Sequence, residues 1–566
     1  MVTEDLPISQ CKPVLSTEKD CPRCLGDLFS RCVDRDPHAS YFIYKGQECS
    51  YIDANSMIEN LAITLFNEGF RKGDRIALML GNTPEFFIAS QACFMLGLVI
   101  VPCNQRSVIS EILEHLLTTG ASAVITSEKN IKKFCDIGDD LQGSNLKVIL
   151  CHGRDRCQRD FCKLTFLKSM DFEEACQTPS GSSGQDEQDV KDKFTWPVVN
   201  PGDAAVLQYT GGTTGYPKAA ILTHENILFG SSVVRDKIHE TLGEDKVRLL
   251  VAQPMYHVMG FISNFIPALF DAGVCAISPS TNSETILNVI QECKVNCLTG
   301  VPSLLYKIVN SSHLKVSSLN SLKVLMYGGS PIDHSLLKKV QSVCHANIVQ
   351  GYGMSEATII AYEYQDFNFH ESDLKSCDCH EHNVLKLVRG IQARIKLDNG
   401  KLSHLKSGIR GELVVAGPQI AKSYYKNDKE SALAFIDGWL HTGDVVHCCG
   451  DNLISIVGRE KEMYICSGFN VFPAEIDSLL SSLEGVEECC TFGVSHKQKM
   501  EAGVTIVVLK EGFNMSQQDV KDFCRSHLNA YMIPVEILFV PEIPRTAVGK
   551  ISRQMLSQLY LQNKFS

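Results

Sequence analysis

The sequence predicts an α/β protein: a large N-terminal domain of layered α/β sheets with a small β subdomain, followed by a small α+β C-terminal domain. Three observations carry this reading. From Arg75 onward, short apolar runs alternate with longer helix-like segments; between Leu387 and Val446 the helical signal gives way to short β-type runs; and a charged break, Gly458-Arg459-Glu460-Lys461-Glu462, precedes a second compact α+β pattern. The expected division is 1–458 and 459–566.

In order along the chain, Arg75–Leu80, Leu98–Val101, Ala123–Thr126 and Lys147–Cys151 read as strands, with Glu85–Leu96 and Ser110–Leu117 as helices between them. The most apolar region, Phe86–Val101, is interrupted by Ser90, Gln91 and Gly97 and falls short of the ~20 residues that span a bilayer, so it reads as helix, turn and buried strand. Gly181–Lys193 is polar and reads as an exposed loop. The alternation resumes with strands at Arg248–Gln253, Val274–Ser278, Cys297–Gly300, Lys323–Tyr327 and Asn347–Gln350, and with helices at Ser283–Cys293 and Asp333–Val343. Gly400, Gly408, Gly411 and Gly417 then punctuate the β-type region. After the charged break come Glu475–Leu483, Val486–Val494, Val504–Leu509, Asp519–Leu528 and Ile537–Val540. No repeat period emerges.

Composition narrows the function classes. The 54 basic against 65 acidic side chains give a net charge of −11, which leaves no electrostatic footprint for nucleic acid. The 24 cysteines are scattered without small-domain spacing, which fits a reducing intracellular compartment, and the pairs Cys448-Cys449 and Cys489-Cys490 read as small buried hydrophobes. Neither terminus carries a secretory, peroxisomal or prenylation signal, so the cytoplasm is the expected location and no transmembrane segment is expected.

The chemistry starts at Gln208-Tyr209-Thr210-Gly211-Gly212-Thr213-Thr214-Gly215-Tyr216-Pro217-Lys218, which follows the apolar stretch Ala204–Leu207. Glycines let backbone N–H groups approach an anion, threonine hydroxyls add donors, and Lys218 supplies positive charge, so the run reads as a phosphate cradle. It is not a Walker loop, because Lys218 follows Pro217 and precedes Ala219 where that pattern needs Gly-Lys-Ser/Thr. Taken alone, a flexible Gly/Thr surface turn explains it equally well.

Downstream lie Gly328-Gly329-Ser330-Pro331, Gln350-Gly351-Tyr352-Gly353-Met354-Ser355-Glu356 and Trp439-Leu440-His441-Thr442-Gly443-Asp444, each expected at a strand end or in a turn, where α/β sheets bind ligands. With Gly458-Arg459-Glu460-Lys461 and Pro544-Arg545-Thr546-Ala547-Val548-Gly549-Lys550, the set resembles the ordered signature of the adenylate-forming superfamily, from roughly Gly26 to Tyr560. The wording of the loop and of Ser467-Gly468-Phe469-Asn470-Val471-Phe472-Pro473 is most similar to the fatty acyl-CoA ligases of that superfamily.

The resemblance implies ATP, Mg²⁺ and coenzyme A as cofactors and a two-step reaction. A carboxylic acid, expected to be a medium- or long-chain fatty acid, forms acyl-AMP and then a thioester. It also implies roles. Thr210, Gly211, Gly212, Thr213, Thr214, Gly215 and Lys218 would hold the phosphates, and Lys550 would supply charge to the α-phosphate. Glu356 would hold Mg²⁺, with Ser355 offering a hydroxyl beside it. Tyr352 would stack on adenine, with Gly328, Gly329, Gly351 and Gly353 passing close. Asp444 would accept from the ribose hydroxyls with Arg459 adding a donor, and His257 would stand at the junction of acyl pocket and AMP site. Lys461 aligns with the hinge about which the C-terminal domain turns to bring Gly468 over the site in place of Lys550.

Three departures from the superfamily pattern stand out: Ala219 after the loop lysine, Ser423 before Tyr424-Tyr425, and Phe367–Asn383 where a Ser-Val-Gly-x-Pro stretch is usual. In that last stretch Cys377, Cys379, His380 and His382 offer ligands to Zn²⁺, although ligands this close rarely close a tetrahedron. Transfer to a carrier-protein thiol, luciferase-like oxidation and a nonenzymatic ligand-binding role are the alternatives. The presence of Lys550 and Glu356 argues against the last. Oligomeric state is not readable from the residues.

Overall fold

Fully buried parallel strands need near-continuous apolar runs, and this chain supplies them in two places. The computed structural model describes residues 21–154, 158–161, 163–177, 194–210, 218–330, 332, 334–364, 384–546 and 551–565. The first set of runs builds a seven-stranded sheet in the order Lys168–Asp171, Val148–His152, Ala123–Ser127, Arg75–Met79, Val99–Pro102, Ala204–Thr210, Lys218–Thr223. It is parallel except for the last pair, where Ala204–Thr210 and Lys218–Thr223 run antiparallel. The glycine and threonine loop therefore joins two antiparallel strands, not a strand to a helix as a Walker loop does. Residues 211–217 themselves lie outside the described residues.

Phe86–Val101 is helix, turn and strand. Pro84 opens the helix Pro84–Leu96, Gly97 ends it at φ 67°, and Val99–Pro102 follows, fully buried. No described helix is long and apolar enough to cross a membrane.

The second set of runs forms the parallel half of a fifteen-stranded sheet. Val274–Ile277, Arg248–Val251, Cys297–Gly300, Val324–Gly328 and Asn347–Tyr352 lie side by side in that order. Asn347–Tyr352 then pairs antiparallel with Ala361–Glu363, and the ladder continues through Val384–Leu387, Leu453–Arg459, Trp439–Gly450, Arg410–Ala416 and Gln392–Lys396. The small β region is thus hydrogen-bonded onto the edge of the parallel sheet. It also holds a helix, Asp428–Ala434, capped by Asn427 and burying no residue, so it has no apolar stripe for the sequence to reveal.

Helices Leu25–Arg35, Tyr51–Asn67, Pro84–Leu96 and His224–Leu242 pack between the two sheets in one core. Separate clusters cover the outer face of each sheet. The third sheet, of five strands, carries Phe469–Val471, Tyr464–Cys466, Met500–Leu509 and Val486–His496, with Glu536–Phe539 added in parallel. Cys448, Cys489 and Cys490 are buried as expected of small hydrophobes. Cys449 is buried as well. Gly181–Lys193 and the Cys377–His382 cluster lie outside the described residues, and among the described residues no group of His, Cys, Asp and Glu is arranged to hold a metal ion.

Candidate active site

The parallel strands Val324–Gly328 and Asn347–Tyr352 end side by side, with Gly328 paired to Gly351. A Cβ on Gly328 would stand 2.5 Å from Gly351 O, and one on Gly353 would stand 2.2 Å from Thr358 O. Gly329 adopts φ 79°. The strand ends are thus a shelf of bare backbone at the carboxyl edge of the sheet, the position where α/β folds take ligands.

Asp444 faces this shelf. It is 4% exposed, accepts the Tyr352 hydroxyl on Oδ2 at 2.5 Å, and accepts Arg459 Nε on Oδ1 at 3.1 Å. Burial pushes the Asp444 carboxyl up and the Arg459 guanidinium and Tyr352 hydroxyl only partly offset it, while Asp444 pushes Arg459 further up. The sequence expected Trp439–Asp444 at a strand end or turn. Instead it forms the first half of the long strand Trp439–Gly450, entered through a tight hairpin at Asp437 and Gly438, both at positive φ.

Glu412 fixes the local backbone. Its carboxylate, 6% exposed, accepts Lys396 Nζ at 2.8 Å, His441 Nδ1 at 3.2 Å and the Gly443 N–H at 3.1 Å. Gly443 takes φ 69° where the ladder shifts register, and the Asp444 N–H donates to Thr442 Oγ1 at 3.1 Å. Burial pushes Glu412 up, but Lys396, His441 and the Gly443 N–H outweigh it and hold the carboxyl below its ordinary value.

Glu356 is buried beside the shelf, and its Oε1 accepts the Tyr424 hydroxyl at 2.7 Å. Tyr424 is pushed far up by burial and by this carboxylate, so it stays a donor. Lys218 ion-pairs with Glu430 and lies 5.2 Å from the centre of the Tyr424 ring. His257 caps the helix Val258–Asn264, with Nδ1 accepting from Met259 N at 3.4 Å.

One cleft of ≈ 3610 Å³ is lined by Thr210, Lys218, His257, Gly328, Gly329, Gly351, Tyr352, Gly353, Ser355, Glu356, Asp444, Arg459 and Lys461 together. Gly468 does not line it. Gly468 forms, with Ser467, a two-residue hairpin turn with both φ positive (86° and 52°) between Tyr464–Cys466 and Phe469–Val471. Gly211, Gly212, Thr213, Thr214, Gly215 and Lys550 lie outside the described residues. Sequence reasoning missed Glu412, Lys396, Glu430 and the role of Tyr424 as a partner. Only Tyr424 carried a signal, through its place beside Ser423 in the glycine-poor departure.

Comparison with known proteins agrees with this geometry. The family model for AMP-binding enzymes matches residues 29–425, and the model for the AMP-binding enzyme C-terminal domain matches 475–550. A long-chain-fatty-acid–CoA ligase of Haemophilus influenzae is 30% identical over 559 residues, covering 94% of this chain and 93% of that one. A feruloyl-CoA synthase of Amycolatopsis is 27% identical over 527 residues, covering 93% and 97%. Among solved structures, ATP-bound MatB from Rhodopseudomonas palustris shares the fold with a TM-score of 0.79 at 23% identity, covering 96% of this chain and all of that one. The chain belongs to the AMP-binding enzyme family, and it is an ATP-dependent acid–CoA ligase of the adenylate-forming kind.

Proposed function

We propose that this chain joins a medium- or long-chain fatty acid to coenzyme A through an acyl-AMP intermediate, working as an N-terminal domain to Gly458 and a C-terminal domain from Arg459. The observation that carries the acyl reading is the floor of the cleft beyond His257. Met259 and Ile262 of the helix Val258–Asn264 line the cleft together with Met326 and Ile359, an apolar wall suited to a hydrocarbon tail.

In the first step a carboxylate oxygen attacks the α-phosphorus of ATP, the bond to the β-phosphate oxygen breaks, and pyrophosphate leaves. Charge grows on the α-phosphate oxygens, and Lys550 is the group we assign to stabilise it. Asp444 and Arg459 are assigned to the ribose and Tyr352 with the glycine shelf to adenine. Ribose hydroxyls would take over Asp444 oxygens that the Tyr352 hydroxyl and Arg459 now engage. In the second step the CoA sulfur attacks the acyl carbon, its proton passes to solvent, the acyl–phosphate bond breaks, and AMP leaves. Lys461 is the assigned hinge, and the Ser467-Gly468 turn is assigned to the thiol-bearing arm of CoA.

The donor set fits Mg²⁺. Glu356 is a buried hard carboxylate lining the cleft with one oxygen engaged by Tyr424. Bound there, the ion would neutralise phosphate charge.

The test is acid-dependent pyrophosphate release from ATP over short, medium, long-chain and aromatic acids, with and without CoA, with thioester detected directly. Thioester from medium or long chains supports the reading. Thioester only from aromatic acids would replace the acid, and pyrophosphate without thioester would replace the acceptor. Lys550→Ala should abolish adenylation while synthetic acyl-AMP still yields thioester; equal loss of both steps would remove Lys550 from its role.

A further inference from the structure

The acyl pocket is not wholly apolar. Side chains alternate across the sheet: Cys297, Val324 and Met326 face the helical core between the sheets, whereas Leu298, Leu325 and Tyr327 face the opposite layer. Thr299, paired in register with Met326, therefore points with it under the helix Val258–Asn264, and Tyr362 joins the same cluster from Ala361–Glu363, the antiparallel strand beyond Asn347–Tyr352. Both line the cleft. Thr299 is 5% exposed and Tyr362 7% exposed, yet neither hydroxyl finds an oxygen or nitrogen partner among the described residues. The Cys297 thiol, two residues back on the same face, does engage the Thr299 hydroxyl, but only as a weak sulfur partner. Asn264, fully buried, donates from Nδ2 to Thr299 O at 3.2 Å, and its Oδ1 is likewise unmatched among the described residues.

A buried polar atom left unpaired costs about 1–3 kcal/mol, so two on the wall of one cleft, the Thr299 and Tyr362 hydroxyls, call for a complement. A methylene chain offers none. A hydroxyl offers lone pairs to the Tyr362 and Thr299 O–H groups. Resting on the acid–CoA ligase reading, we propose that the preferred acid carries a hydroxyl on its chain, held by Tyr362 and Thr299 in the wall of the acyl pocket. A site built to hydrogen-bond a substrate hydroxyl discriminates strongly against the analogue that lacks it, because its own groups are then stranded.

The experiment compares kcat/KM for thioester formation by the full-length protein on saturated C8 to C16 acids and on their hydroxy and oxo derivatives, substituted at successive carbons. One hydroxy isomer should exceed its parent alkanoate at least tenfold, with the matching oxo acid in between. In Tyr362→Phe and Thr299→Val, both close to isosteric, the hydroxy-to-parent ratio should fall toward one. Parent acids that equal or exceed every hydroxy isomer would overturn the inference while leaving the ligase intact, and would mean that water satisfies the pocket hydroxyls. A hydroxy preference unchanged in both variants would also overturn it. No pyrophosphate from any acid would overturn the ligase reading and this inference with it.

Discussion

At the residue scale, the heaviest commitments are buried charges and buried imidazoles. Glu412 supports the turn before Asp444 through three donors, each a charge-assisted bond worth about 1.5–3 kcal/mol in a buried setting. Glu412→Gln should raise the KM for ATP roughly tenfold, the equivalent of one such bond. A carboxyl held below its ordinary value stabilises the fold above that value and ceases to as pH falls through the lowered one. The stability gap between the native protein and Glu412→Gln should therefore be full at pH 7 and close in acid, below the ordinary carboxyl range; a constant gap from pH 7 to 3.5 would refute the charge assignment. His224 also loses stability as pH falls, but in a higher pH window. Burial pushes it down from 6.5 to about 4 while its Nδ1 accepts from Leu25 N. Above pH 6.5 it is neutral in both folded and unfolded chains; as pH falls toward 4 only the unfolded chain gains the proton, which removes up to ~3 kcal/mol. Thermal midpoints from pH 8 to 4.5 should fall less in His224→Gln, which keeps an acceptor for Leu25 without the titration.

At the element scale, two glycines separate close approach from conformation. Gly328→Ala drives a Cβ into a backbone carbonyl of the adjoining strand, so it should cost about 1–3 kcal/mol by overpacking and abolish measurable ATP binding in calorimetry. Gly468→Ala meets no atom within 4 Å but must hold φ 86°, so its cost should stay near 1 kcal/mol in denaturant melts. Equal destabilisation by the two would contradict this division. Elements with a strong period or long buried runs were legible in sequence: the helix Pro84–Leu96 and the strands Val324–Gly328 and Met500–Leu509 fall where apolar patterning puts them. The helix Asp428–Ala434, which fully buries no residue, was not, because nothing in its pattern reports burial. That helix nevertheless presents Glu430 to Lys218, a contact no local reading supplies.

At the scale of the whole molecule, the C-terminal sheet meets the larger part through one small apolar cluster, Phe472 against Val445 and Val457, and a few polar contacts. Arg410 pairs with Glu475 at 3.4 Å and lies over the Phe472 ring at 4.6 Å, and the Tyr306 hydroxyl donates to Glu487 at 2.8 Å. Partly exposed pairs of this kind contribute about 0–1 kcal/mol each, so this arrangement should be weakly held. Arg410→Ala should leave the thermal midpoint nearly unchanged while speeding tryptic cleavage at Lys461, and raised salt should do the same to the native protein. An unchanged cleavage rate under both conditions would show that the contacts do not hold the arrangement.

The sequence by itself determined the layered α/β class, the strand order of chemistry-bearing loops and the superfamily, because apolar periodicity and short glycine-rich runs are local and survive without knowledge of contacts. Only the tertiary structure decided that the β region extends the parallel sheet, that Glu412 and Tyr424 stand behind Asp444 and Glu356, and that the Thr299 and Tyr362 hydroxyls line the cleft. Those are pairings between residues tens to hundreds of positions apart, and hydrogen-bond partners at such separations leave no period or spacing in the chain.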